Sequence, residues 1–294
     1  MIKKVSLVLS GGGARGIAHI GVIEELENQG FEIHSIAGTS MGALVGGIYA
    51  AGKMKEYKNW ILTLDKLEVF KLIDFSFSKH GLIKGDRVFN KMKEFIPDTN
   101  IEDLKIHYTA TATDLLNKKE VVFTKGSIYE AIRASIAIPT VFTPVKTENM
   151  LFVDGGVTNN IPINHAKRIE NDLLVVSYVN ADTSIYKPEA FKKDKKKKSI
   201  YLEKVNDFKT HFNKIYSKDK NKKLGYFNIL NKTVEMMMYK LAMLSIEKFP
   251  PDILINISRN SCGTFDFYKA EELVEIGRDM ANEIIKNFNN RITE

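Results

Sequence analysis

Three glycine-containing turns carry the residues whose types could do chemistry. Residues 10–16, 38–42 and 154–156 read SGGGARG, GTSMG and DGG. In the second turn, Ser40 is the centre of a G-x-S-x-G pattern, which is typical of a serine exposed on a sharp strand-to-helix turn. A serine hydroxyl is a weak nucleophile until a positioned base accepts its proton. The chemistry therefore depends on which residue serves Ser40 as that base.

The first turn fits two different functions. Its glycines satisfy the G-x-G-x-x-G pattern of dinucleotide sites. Such a site needs an acidic residue about 20 positions further on, at the end of the second strand. That strand ends in residues 37–40 without an acid, and Glu32 lies at its beginning. The backbone N–H groups of this turn, at the start of a helix, instead favour stabilisation of an oxyanion.

Arg15, in the same turn, is a candidate to steady the loop or the anion. The alternative for Arg15 is an ordinary surface arginine in the first turn of a helix, and the sequence leaves both open.

No histidine fits the role of base well. His165 follows Asp154 in the chain order of an α/β-hydrolase triad, but it falls in a predicted helix without an obvious partner. His19 is expected to be a packed or capping residue, and His34 begins a strand far from its active end. His80 and His107 have no acidic residue at a suggestive spacing, and His211 lies in a lysine-rich segment.

Asp154 is the better candidate for the base. It ends an apolar run, LFV, and precedes two glycines, so its side chain is expected at a strand end. A carboxylate that is hydrogen-bonded directly to a serine hydroxyl can accept its proton. Taken alone, an Asp-Gly pair is a common turn, so this assignment depends on the other motifs.

Together these motifs resemble the patatin-like phospholipase family. GGGARG at 11–16, GTSMG at 38–42 and DGG at 154–156 stand in the family's order, and SIAIP at 135–139 and NNIP at 159–162 belong to the same resemblance. It covers about residues 5–179. The resemblance implies a Ser40–Asp154 catalytic dyad, an oxyanion hole of Gly11, Gly12, Gly13, Arg15 and Met41, and motif glycines at Gly16, Gly38, Gly42, Gly155 and Gly156.

The implied activity is hydrolysis of lipid acyl esters, as in a phospholipase A or lysophospholipase. Ser40 would attack the ester carbonyl, and water activated by Asp154 would release the acyl group. The implied substrate is a phospholipid or another acyl-ester lipid, without nucleic acid, metal or organic cofactor. Two alternatives remain: a catalytically weak lipid- or membrane-binding module of the same fold, and an acyltransferase with an acceptor other than water.

The elements that must position these residues alternate between strand and helix. This order predicts an α/β fold with a central, mostly parallel sheet flanked by helices, the patatin-like α/β/α architecture. Helices are predicted over 17–29, 41–51, 128–136 and 268–288. Strands are predicted over 5–9, 31–37, 107–113, 120–124, 141–145, 150–153, 173–179 and 252–257.

Length and charge predict one domain, 1–294, with a mostly helical, lysine-rich insertion over about 185–249. The net charge of +7 is uneven, because residues 185–223 contain 14 lysines against 5 acidic residues. This block is a candidate for contact with an anionic membrane, or is a solvated helical face. A single cysteine and the absence of a long apolar run or signal peptide favour a cytoplasmic location, with peripheral contact at a membrane.

Overall fold

A computed structural model describes residues 3–74, 83–191 and 226–293 of the chain. Eight strands lie in one sheet within this part of the chain. They are β1 Lys3–Leu9, β2 Phe31–Thr39, β3 His107–Asp114, β4 Lys119–Phe123, β5 Val145–Lys146, β6 Leu151–Asp154, β7 Leu173–Ala181 and β8 Ile253–Ser258.

Helices cover both faces of the sheet. The α-helices are α1 Ala18–Asn28, α2 Met41–Ala50, α3 Met54–Leu62, α4 Lys66–Leu72, α5 Asp86–Lys93, α6 Ile128–Ser135, α7 Tyr226–Lys248 and α8 Ala270–Thr293. Short 3₁₀ turns join them at Gly13–Ile17, Ile101–Asp103, Gly155–Val157, Ile163–His165, Glu189–Phe191 and Phe267–Lys269.

The centre of the sheet is parallel. Its strands follow the order β5-β6-β3-β2-β1-β7-β8, and β4 pairs with β3 outside this path. The neighbours from β3 through β8 are parallel, whereas β4, β5 and β6 pair antiparallel. The prediction of a mostly parallel sheet flanked by helices is confirmed.

Burial on both faces explains the continuous apolar run of β1. Leu7 and Leu9 belong to the large core on one face, whereas Val8 belongs to a second core that α7 covers with Ala242. On the first face, α1 and α8 approach so closely that a Cβ on Gly277 would lie 1.9 Å from the carbonyl oxygen of Ala18. The helix pair therefore packs backbone to backbone.

Several boundaries differ from those predicted. The strand predicted over 141–145 is wrong, because only Val145 and Lys146 pair in a strand. Pro144 lacks the N–H that a ladder requires, and Thr140 has a positive φ of 67°. The helix predicted over 17–29 begins as a 3₁₀ turn, and His165 lies in a 3₁₀ turn and not in a longer helix.

The predicted insertion is described in part. Its last third is helical as α7, but residues 192–225, with most of the lysines, lie outside the described residues. The sequence also failed to indicate α3, α4 and α5, which follow α2 directly. Among the described residues, no helix has the length and apolar character needed to cross a membrane.

Candidate active site

The pairing of β3 brings the second and third turns together. β4 occupies one edge of β3 over residues 110–114, so β2 and β6 must share the other edge. There Thr39, the last residue of β2, pairs with Thr111, and Asp154, the last residue of β6, pairs with Ala112. Because β2 is parallel and β6 antiparallel to β3, the two strands run toward each other. Ser40 and Asp154 meet where they end.

Ser40 occupies a strained turn. Its backbone has φ 54° and ψ −123°, a combination that non-glycine residues rarely adopt and that costs on the order of 1–3 kcal/mol. Close backbone packing on either side holds the turn. A Cβ on Gly42 would lie 2.1 Å from the carbonyl oxygen of Leu9, and one on Gly38 would lie 2.6 Å from Ala43 Cα. The glycines that flank Ser40 are therefore required by contact with neighbouring backbone.

The Ser40 hydroxyl donates a hydrogen bond to the Asp154 carboxylate. Ser40 Oγ lies 2.5 Å from Asp154 Oδ2, and the other oxygen, Oδ1, accepts from the N–H of Gly156 at 2.7 Å. Both side chains are buried. Burial raises the pKa of Asp154 to about 6, against the opposing effect of these two hydrogen bonds. The carboxylate is therefore a stronger base than an exposed aspartate.

The glycine loop supplies backbone donors beside Ser40. Gly11 N–H donates to the carbonyl of Asn160 and Ala14 N–H to that of Thr264. Within the described part of the chain, the N–H groups of Gly12 and Gly13 have no protein acceptor. Gly13 has φ +57°, a conformation that suits glycine. The two N–H groups are suited to an oxyanion, whereas Gly11, also assigned to the hole from sequence, is already bonded.

Arg15 stabilises this loop through hydrogen bonds to residues outside it. Its Nε donates to Asn180 Oδ1 at 3.0 Å and its Nη1 to the carbonyl of Cys262. Asn180 in turn donates to the carbonyl of Gly11 at 2.5 Å. Of the two functional alternatives for Arg15, this geometry fits the one in which it steadies the loop.

Met41 begins α2, where a backbone N–H has no partner within its own helix. Its side chain packs against the first turn, since a Cβ on Gly16 would lie 2.3 Å from Met41 Cγ. The third turn is equally tight, because a Cβ on Gly155 would lie 2.1 Å from the carbonyl oxygen of Thr111. The motif glycines thus hold all three turns at one edge of the sheet.

Three of the four described histidines bond to groups other than Ser40. The fourth, His107, begins β3 opposite Ser35, at the end of the strand away from Ser40. His19 is buried between Ser177 Oγ and the carbonyl of Ser10, and burial lowers its pKa to about 4. The carbonyl can only accept, so the neutral ring carries its proton on Nε2. His165 binds Glu120 and Asn164, and His34 binds Asp172. His80 and His211 lie outside the described residues.

A serine that the sequence did not single out supports the nucleophile. Ser135, the last residue of α6, accepts a hydrogen bond from the backbone N–H of Ser40 at 2.8 Å and donates to the carbonyl of Thr111 at 2.6 Å. It therefore ties the strained turn to β3. Ser135 opens the SIAIP motif, which was the only sequence signal for it.

An apolar cavity opens at Ser40. Its space, counted together with the part open to solvent, is about 940 Å³, and α3, α4 and α5 supply eight of its 22 lining residues. Tyr57, Leu64 and Phe89 are buried lining residues. A long hydrocarbon chain is the group that such a lining favours.

A serine, a buried carboxylate and two backbone N–H groups that have no protein acceptor among the described residues thus meet at one edge of the sheet. The family model of patatin-like phospholipases matches residues 7–167. An uncharacterised NTE family protein of Mycobacterium bovis is 30% identical, with 97% of this chain and 92% of that protein covered. The chain belongs to the patatin-like phospholipase family.

A further relative and one solved structure are also similar to this chain. Lysophospholipase NTE1 of Saccharomyces cerevisiae is 27% identical over 94% of this chain, which spans only 16% of that protein. The structure is similar in fold to VipD from Legionella pneumophila, with a TM-score of 0.51, 14% identity, and coverage of 97% of this chain and 67% of that one.

Replacing Ser135 should reduce activity and stability together. Ser135→Ala leaves the Ser40 N–H and the Thr111 carbonyl without their partner, which costs on the order of 1–3 kcal/mol. We expect kcat for an ester substrate to fall about tenfold, which corresponds to about 1.4 kcal/mol, and Tm to drop.

Ser127→Ala is the matched control, because Ser127 caps the other end of α6. It should lower stability by about 1 kcal/mol and leave kcat unchanged. Equal kcat values for the two variants would contradict the positioning role of Ser135.

Proposed function

We propose that this protein hydrolyses acyl esters of lipids, with Ser40 as nucleophile and Asp154 as its base. The observation that carries the proposal is the 2.5 Å hydrogen bond between the two side chains. It lies beside the backbone N–H groups of Gly12 and Gly13, which have no protein acceptor in the described part of the chain. Membership of a phospholipase family and likeness to lysophospholipases support a lipid substrate.

The first half of the reaction acylates the serine. Asp154 Oδ2 accepts the Ser40 proton as Oγ attacks the ester carbonyl, and the negative charge forms on the carbonyl oxygen. The Gly12 and Gly13 N–H groups donate to that oxygen, and one such donor contributes about 2.7–4 kcal/mol to lowering the barrier. Protonated Asp154 then donates to the leaving alcohol, which departs as the acyl–Ser40 ester forms.

The second half returns the enzyme to its initial state. Water loses a proton to Asp154 Oδ2 and attacks the acyl carbonyl, and the free acid leaves as Ser40 regains its proton. An acyltransferase would use another acceptor at this step, and a binding module would not reach it. Hydrolysis and acyl transfer both need Ser40 and Asp154, so analysis of the reaction products distinguishes the two activities.

Substitution of the dyad tests the proposal. Ser40→Ala should abolish release of p-nitrophenol from a medium-chain p-nitrophenyl ester and of fatty acid from lysophospholipid. Asp154→Asn should lower kcat/KM by about 10²–10⁴, because proton transfer by a positioned group contributes that much.

Only ionised Asp154 accepts a proton, so the wild-type rate should rise as pH increases through about 6.

The control is His165→Gln, which removes the histidine whose chain order suits a triad. Its rate should match wild type because His165 is bonded to Glu120. Folded Asp154→Asn with a near-normal rate would overturn the dyad, and fatty-acid release that survives Ser40→Ala would overturn the proposal.

We also propose that the apolar cavity holds the acyl chain. Val88, on α5, lines the cavity, and Asn90, two residues on, is exposed on the same helix. Substitutions at Val88 and Asn90 therefore compare the cavity side of α5 with its solvent side.

Val88→Trp should shift the preference toward shorter acyl chains. The indole occupies space that a long chain would fill, and each displaced methylene forfeits about 0.8 kcal/mol of burial. We expect kcat/KM to fall about tenfold or more for dodecanoyl against butanoyl p-nitrophenyl esters. Asn90→Trp should keep the wild-type ratio. An unchanged ratio in Val88→Trp would exclude this cavity as the acyl site.

We further propose peripheral contact with an anionic membrane through α7. One face of α7 packs on the sheet through Ala242, which belongs to the same buried cluster as Val8, and Ser245 donates to the carbonyl of Ile161 in a neighbouring loop. Met237, Leu241 and Leu244, at helical spacing on the other side, are exposed. Thirteen lysines against four acidic residues directly precede this helix in residues 192–225. Apolar side chains beside excess positive charge favour an anionic bilayer surface.

Vesicle pelleting tests this contact in Ser40→Ala, which leaves the lipid intact. Binding should require phosphatidylserine in phosphatidylcholine vesicles. Met237, Leu241 and Leu244 changed together to Gln should weaken it about tenfold or more, since burying each such side chain contributes roughly 1.5–3 kcal/mol. The exposed pair Leu115 and Leu116, changed to Gln, should bind normally. Equal binding by both sets would contradict the assignment.

A further inference from the structure

Asn160 is a buried amide beside the dyad that the reaction described above does not use. Only 3% of the residue is exposed. Its backbone carbonyl accepts from Gly11 N–H and so holds the oxyanion loop. Its side-chain oxygen, Oδ1, has no hydrogen-bond partner among the described residues. A buried acceptor without a donor is destabilising, so its retention points to a donor present during function.

Two glycines place this amide oxygen at the reaction centre. A Cβ on Gly11 would lie 2.6 Å from Asn160 Oδ1 and 3.1 Å from Ser40 Cβ. A Cβ on Gly156 would lie 3.1 Å from the same oxygen and 3.0 Å from Asp154 Oδ1. Asn160 Oδ1 is therefore the group common to both positions, with Ser40 next to it at Gly11 and Asp154 next to it at Gly156. Any larger residue at either glycine would fill the space among them.

Deacylation is the step that calls for a second acceptor here. A water molecule has two O–H groups, and Asp154 can accept only the one whose proton is transferred. Asp154 Oδ1 already accepts from Gly156, so Oδ2 takes that proton. The other O–H needs an acceptor that orients the water while this second proton stays on the oxygen. A neutral amide oxygen meets this requirement.

We propose that Asn160 Oδ1 positions the hydrolytic water, which makes it a specificity element for water over other acyl acceptors. The inference rests on the proposed Ser40–Asp154 hydrolysis. Water donates one hydrogen bond to Asn160 and transfers its other proton to Asp154 Oδ2 while its oxygen bonds to the acyl carbon. As the bond between that carbon and Ser40 Oγ breaks, the proton passes from Asp154 to Oγ. The carboxylic acid leaves and ionises in solvent.

The experiment separates acylation from deacylation with p-nitrophenyl octanoate. Rapid mixing measures the first release of p-nitrophenol and the later steady rate, and mass spectrometry of quenched enzyme measures acyl–Ser40. Added methanol competes with water for the acyl group. Methanol has a single O–H, which goes to Asp154, so it needs no second acceptor.

Asn160→Ala should acylate within about threefold of the wild-type rate and then turn over at least tenfold more slowly. About one equivalent of acyl–Ser40 should accumulate, and the ratio of methyl ester to free acid should rise. Asn160→Asp, which keeps the shape and the acceptor oxygen, should return the ratio toward wild type at a pH that ionises both aspartates. This second variant also serves if Asn160→Ala fails to fold.

Asn159→Ala is the control, because the side chain of this neighbour binds Glu120 and Asn164. All of its kinetic values should match wild type. Equal losses in burst and steady rates of Asn160→Ala, with an unchanged product ratio, would overturn the inference, because a structural or donor role affects both halves. Release of p-nitrophenol that survives Ser40→Ala would instead overturn the proposed function.

Discussion

The positions of Ser40 and Asp154 depend on β2 and β6, two strands that end against each other along one edge of β3. A parallel strand and an antiparallel strand share one edge of β3, and the register leaves no residue between the partners of Thr39 and Asp154. Ser40 and Asp154 then need only one turn each to come within hydrogen-bond distance. The close-packed glycines and the Ser135 hydroxyl are consequences, since both turns must fit against a backbone that is already there.

Burial gives the carboxylate its chemistry. An exposed aspartate has a pKa near 3.9 and is a weak base for a serine hydroxyl. Asp154 is largely buried and keeps two hydrogen bonds, and the burial raises its pKa to about 6. The imidazole of His19, which bonds to the Ser10 carbonyl at the glycine loop, is neutral for the same reason. Burial thus strengthens an acidic group as a base at one position and keeps a basic group uncharged at another.

The motifs could be recognised in the sequence because their constraints are local. Gly42 and Gly155 are needed within a turn of the residues they serve, and the strands at 5–9 and 173–179 are continuous apolar runs. Ser135 and Asn160 contact residues far away in the chain, so the SIAIP and NNIP motifs marked their segments without indicating these contacts. The cavity walls in α3, α4 and α5 were missed because their apolar residues are spread over short amphipathic helices. Pro144 was the local sign that the strand predicted over 141–145 would fail.

The most direct measurement of the central claim is the rate at which a fluorophosphonate labels Ser40. The reagent needs only a nucleophile and a proton acceptor, without lipid binding or water. Intact-mass analysis should find one adduct on wild type, none on Ser40→Ala, and labelling of folded Asp154→Asn slower by about 10² or more. Asp154→Asn labelled at the wild-type rate would show that another group accepts the Ser40 proton, and the account of this site would be wrong.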